Sequence, residues 1–192
     1  MTGKDGLPLL ECATREEWEA YLEEHHGDSR GVWLRFGKKG SGVPSPTYEE
    51  ALEAALCFGW IDGQRVSFDE RSWLQRFTPR SPRSRWSKLN RERAISLIEQ
   101  GRMRPAGLRE VEAAQRDGRW EAAYDPMSTA EVPDDLRRRL DEEPAAKVRF
   151  DALDSRNRYA ILYRIQEAKR PETRARRIEQ FVAMLREGRT IY

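Results

Sequence analysis

Cysteine and histidine are scarce in this 192-residue chain, with two of each: Cys12, Cys57, His25 and His26. Two thiols build no disulfide framework, which points to a reducing, cytoplasmic compartment. No CxxC or HxxxH spacing links the four residues, so neither a metal site nor a cofactor is expected. A cysteine nucleophile needs a base to lower its pKa. Nothing in the sequence supplies one beside Cys57, which reads as a buried structural thiol. The histidines fall near a predicted helix end, where they would meet the last carbonyls. No apolar run reaches 18 residues, which excludes a spanning helix. The N-terminal stretch lacks the apolar core of a signal peptide. There is no internal repeat, low-complexity segment, phosphate loop, nucleophile motif or recognition-helix motif. Together these gaps lean away from an enzyme.

Six Trp, six Tyr and six Phe stand against them. A disordered chain would lack such large buriable side chains, so the mean hydropathy of −0.87 describes a charged surface around a real core. Net charge is only +2, but it is unevenly placed. Residues 1–70 carry 7 basic and 14 acidic side chains, and residues 71–104 carry 10 basic and 2 acidic. A local excess of that size can attract an anion although the whole is nearly neutral.

In order along the chain, Leu7–Ala13 reads as a strand. Thr14 with Glu17, and Thr47 with Glu50, are capping boxes that open two helices. GVWLRFG (31–37) is a strand between them, and Gly59 suits the left-handed turn after the second helix. Asp62–Gly63 is either a hairpin turn or a bulge within one strand, and SWLQRF (72–77) closes the strand set. Beyond Ser87 the pattern is helical: 88–100, then a helix from Pro105, then 133–141, 144–153, 155–169 and 171–187. The apolar faces of the last four include Leu136 and Leu140; Val148 and Leu153; Ile161 and Ile165; and Ile178, Phe181, Val182 and Leu185. The expected fold is α+β, a small N-terminal mixed α/β domain followed by a C-terminal helical bundle. Its expected parts are an α+β domain at 1–80, a basic Trp-containing connector with two helices at 81–130, and a helical module at 131–192.

The candidate binding residues are Trp60, Asp62, Arg65, Arg76, Arg80, Trp86, Lys88 and Asn90. Aromatic faces beside guanidinium forks suit a carboxylate or phosphate, and Asp62 could orient one of the arginines. The alternative makes Trp60 core, Asp62 a turn residue and the arginines a satisfied polar seam. Two further readings stay open. Arg76–Arg93 with Trp86 as a stacking plate could bind nucleic acid, and Asp62 could be an acid/base in an enzyme.

CFGWIDG (57–63), FTPR (77–80), WSKLN (86–90) and GRMRPAG (101–107) resemble the YdeI/OmpD-associated family over roughly residues 8–188. VPDDLRRRLDEEPAAKVRF (132–150) and AKRPETRARRIEQFV (168–182) look like that family's terminal helical module. The resemblance implies association with an outer-membrane porin and protection against bacteriocins or antimicrobial peptides; it implies no reaction and no catalytic residue. The function expected from residues and resemblance together is a non-catalytic protein that binds an anionic small molecule or a protein partner.

Overall fold

A computed structural model describes residues 5–127 and 129–192 of the chain. They form two compact units, one up to Ala123 and one comprising Tyr124–Tyr192. The first opens in the order β1 (Leu9–Leu10), α1 (Arg15–His25), β2 (Val32–Gly37), α2 (Tyr48–Cys57), β3 (Trp60–Ser67) and β4 (Ser72–Pro79). The strands make one sheet in the order β1-β2-β4-β3, parallel between β1 and β2 and antiparallel elsewhere. The architecture is α+β.

Local chemistry sets the helix ends. At α2 the capping box is complete: Thr47 Oγ1 accepts from the Glu50 amide at 3.2 Å, and Glu50 accepts from the Thr47 amide at 2.8 Å. At α1 only half of it forms. Thr14 accepts from the Glu17 amide at 3.3 Å, while the Glu17 carboxylate reaches one residue further back, to the Ala13 amide at 2.7 Å. Gly59 adopts φ +75° and ends α2, as a residue without Cβ can. The Asp62–Gly63 pair is the bulge and not the turn, since β3 runs through it with a register shift between Asp62 and Arg65. The hairpin turn lies instead at Phe68–Arg71, where the Phe68 and Asp69 amides both donate to Ser72 O.

Alternation along the strands separates two sheet faces. Val32, Leu34, Phe36, Trp60 and Phe77 face α1 and α2, and join Trp18, Leu22, Leu52, Ala55 and Leu56 in the core. The opposite face carries a smaller cluster of Leu7, Trp33 and Leu74. Helices α3 (Lys88–Glu99) and α4 (Pro105–Arg116) belong to the first unit's core as well, through Ala94, Leu97, Val111 and Ala114, together with Trp86 and Trp120.

The second unit holds α5 (Asp134–Asp141), α6 (Pro144–Asp151), α7 (Ser155–Gln166) and α8 (Pro171–Arg186). Leu136, Leu140, Ala146, Phe150, Ile161, Ile165, Ile178, Val182 and Leu185 form its core. Val148 was expected inward and is 70% exposed. In a two-turn helix Ala146 and Phe150, four residues apart, share the buried face, and Val148 lies about 200° around the axis from Ala146.

A bidentate pair links α8 to α5: Arg174 donates to both Asp135 oxygens, at 2.6 and 2.9 Å. These bonds hold the Asp135 carboxyl below its ordinary range. A carboxyl depressed in the folded state contributes stability that is present above its unfolded pKa and is lost as pH falls through the folded value. Asp135→Asn should therefore destabilise the second unit by about 1 kcal/mol at pH 7, the scale for a part-buried pair of good geometry. The difference should shrink below about pH 4. Urea unfolding followed by far-UV circular dichroism at pH 7 and pH 3 checks it.

Candidate functional site

The strand register decides which predicted residues can meet. Asp62 pairs with Phe77 and Arg65 with Gln75, so both share the helix-covered side of the sheet. Arg76 is the neighbour of Phe77 and pairs with Trp33, so it stands on the opposite side, 3.5 Å from Asp5. Trp60 is 1% exposed, edge-on to Trp18 with centroids 6.2 Å apart, and donates from Nε1 to His26 O at 3.1 Å. Its surroundings are those of a core residue.

Around Tyr48 the fold does gather several of the candidates. The Tyr48 hydroxyl donates to Asp62 at 2.7 Å, and its ring lies beside Trp73. The Arg65 guanidinium covers the Trp73 ring at 3.9 Å. Burial and the Asp62 carboxylate raise the Tyr48 pKa well above the ordinary phenol range, while the Arg93 charge acts on it in the other direction. Asn90, in the first turn of α3, accepts from Arg93 at 3.4 Å. Asp62 thus serves as the acceptor of a part-buried hydroxyl.

Arg80 and Trp86 form a second group. The Arg80 guanidinium lies 3.5 Å from the Trp86 ring centroid and donates to Arg85 O at 3.2 Å. Trp86 packs edge-on against Trp120 at 4.9 Å. Lys88 opens α3, capped by Ser87, whose hydroxyl accepts from the Asn90 amide. Much of the basic segment is occupied within the chain. Arg76 meets Asp5, Arg102 meets Glu53 at 3.0 Å, Arg104 meets Glu23 at 3.7 Å, and Arg91 donates to Trp120 O. The acidic block before residue 70 and the basic block after it are in part each other's partners.

The cysteines follow the reading of buried thiols. Burial, aided by Glu17, pushes Cys12 up to about 11, and burial raises Cys57. His26 Nδ1 lies 2.9 Å from Leu22 O, at the end of α1. Among the described residues, no three His, Cys, Asp or Glu side chains converge as metal ligands, and no helix is long and apolar enough to cross a membrane.

The second unit holds a cleft of about 500 Å³ that the sequence reading passed over. Tyr124, Met127, Tyr159, Ala160, Tyr163 and Tyr192 form its walls, with Arg156, Arg164 and Glu167 at its charged positions. Tyr159, Ala160, Tyr163, Arg164 and Glu167 recur at three- and four-residue spacing along one face of α7. Tyr159 and Tyr163 lie 5.9 Å apart, and Tyr124 meets Tyr163 edge-on at 5.2 Å. Arg156 lies over the Tyr192 ring at 4.0 Å. Asn157, 94% buried, secures Tyr192 in place by accepting from the Ile191 and Tyr192 amides at 3.1 and 2.9 Å. Glu167 is 3.5 Å from Arg177, which balances its charge. Arg156 and Arg164 form no ion pair among the described residues. The cleft therefore presents an aromatic body and an excess of positive charge. Its size falls within the range of small-ligand sites.

Residues 129–188 match the family model described as "Bacteriocin-protection, YdeI or OmpD-Associated", the family the motifs resemble, and the cleft's α7 residues lie within that match. The resemblance expected from residue 8 onward narrows accordingly. Residues 10–110 match a different model, described as "Domain of unknown function (DUF8412)". No curated protein and no solved structure matches the chain. Because the second of these models spans more than half of the 192 residues, the chain belongs to the DUF8412 family.

Proposed function

We propose that this protein is a non-catalytic, cytoplasmic binding protein that takes an anionic ligand with an apolar or flat body in the tyrosine cleft of Tyr124–Tyr192, in the context of bacteriocin protection that its family match names. The observation that carries this is the pairing of four tyrosines with Arg156 and Arg164, both arginines exposed and neither in an ion pair within 4 Å among the described residues, although Arg156 lies in the field of Asp154. Phenol rings give area at small entropic cost, and a guanidinium fork fixes a carboxylate. The basic segment 71–104 supports the role less directly, since Arg76, Arg91, Arg102 and Arg104 already bind within the chain.

Calorimetric titration of the full chain with 3-phenylpropionate, a small aromatic carboxylate, tests the reading. Saturable binding is expected, weakened about tenfold or more when Arg156 and Arg164 are both changed to Glu, the scale of one charge-assisted hydrogen bond. No saturable binding, or equal binding by the variant, would overturn it. A steeply salt-dependent affinity for oligonucleotides, lost when Arg83, Arg85 and Lys88 become Glu, would favour the nucleic-acid alternative.

A further inference from the structure

The spacing of the two arginines in the cleft carries information about the shape of what binds there. Arg156 and Arg164 are eight residues apart on α7, a rise of about 12 Å. Tyr159, Ala160 and Tyr163 line the cleft between them. A single small carboxylate engages one of these guanidiniums and leaves the other. An extended peptide advances about 3.3 Å per residue and projects alternate side chains to the same side. Its residues one and five therefore stand about 13 Å apart on one side, with residue three between them.

Resting on the binding role proposed above, we infer that the cleft's ligand is an acidic peptide segment bound extended along α7. Acidic side chains at its first and fifth positions meet Arg156 and Arg164, and an apolar side chain at its third packs on Tyr159 and Tyr163. Charge complementarity selects this occupant. Neither cationic position is in an ion pair within 4 Å among the described residues, Arg156 feeling Asp154 only at longer range, and the cleft's own carboxylate, Glu167, is balanced by Arg177. The stack of Arg156 on Tyr192 covers a face of the guanidinium and leaves its edge donors for a carboxylate. A basic peptide would place its cations against Arg156 and Arg164.

Fluorescence polarisation of the full chain with a fluorescein-labelled peptide of core sequence Glu-Thr-Leu-Thr-Glu tests this. Saturable binding is expected, and Arg156→Glu and Arg164→Glu should each weaken it about tenfold or more. A core with its acids at positions one and four, on opposite sides of the extended chain, should bind about tenfold more weakly. Replacing the fifth-position Glu by Lys should restore affinity to Arg164→Glu. Both arginines are exposed, so the variants should remain folded, which circular dichroism melts check. Equal binding of the two spacings, or no charge-swap rescue, would overturn the inference. Should 3-phenylpropionate bind in a way that the double change of Arg156 and Arg164 to Glu weakens, while the peptide does not bind, the inference falls and the broader binding role stands; if neither binds, both fall.

Discussion

Trp60→Ala should lower the stability of the first unit by about 3–5 kcal/mol, the range for removing a large aromatic from a packed core. Its ring is 1% exposed and edge-on to Trp18, which in turn touches Phe77 at 5.4 Å, so the change opens a cavity where α1 meets the sheet. It also leaves His26 O without the indole donor, a further loss of about 1 kcal/mol. Against a typical stability of about 5–15 kcal/mol, this is roughly a quarter of the total or more. Every tryptophan lies at or before position 120, so indole fluorescence in urea reports the first unit alone. Trp60→Phe should recover at least half of the loss. Both variants should bind 3-phenylpropionate like the parent chain if the cleft of the second unit is the binding site. A stable Trp60→Ala protein with impaired binding would return Trp60 to the ligand site in which the sequence reading placed it.

Trp60 also illustrates what could be read from the chain alone. Elements governed by local rules were legible: Thr47 with Glu50 gave a complete capping box, Gly59 the left-handed residue, and Pro105, Pro144 and Pro171 the first turns of helices. The sheet face of Arg76 was not. That depends on strand pairing, and a change of one residue in register moves a side chain to the other face. With Asp62–Gly63 open to being either turn or bulge, the register was undetermined until the turn at Phe68–Arg71 fixed it. A related limit hid the cleft. Ile161 and Ile165 mark the buried stripe of α7, and Tyr159 and Tyr163 could be seen beside it at four-residue spacing. But Tyr124 and Tyr192 come from opposite ends of the unit, and only tertiary structure brings them to the same wall. The dense basic segment drew attention because a sequence shows charge without showing its partners. Asp5, Glu23 and Glu53, which meet Arg76, Arg104 and Arg102, lie about 50 to 80 residues away along the chain.

Gly107→Ala should destabilise the first unit by about 2 kcal/mol, although alanine is the better helix former by about 1 kcal/mol. Gly107 sits in the first turn of α4, where the helix crosses the end of α2. An added Cβ would lie 2.4 Å from Cys57 O and 2.7 Å from Leu56 O. These are backbone atoms, and they are held. Cys57 O accepts from the Arg104 amide at 3.1 Å, and Leu56 O accepts from the Gly59 amide at 3.1 Å. The helices must separate to admit the methyl group, and overpacking of that kind costs about 1–3 kcal/mol or more beyond the propensity gain it cancels. Gly27 provides the control, since a Cβ there meets nothing within 4 Å and its φ lies outside the left-handed region. Gly27→Ala should leave stability unchanged or raise it by a few tenths of a kcal/mol. Urea midpoints by tryptophan fluorescence decide the matter. If Gly107→Ala is as stable as Gly27→Ala, then α4 does not approach α2 as closely as these contacts require, and its seating over Leu56 and Cys57 must be redrawn.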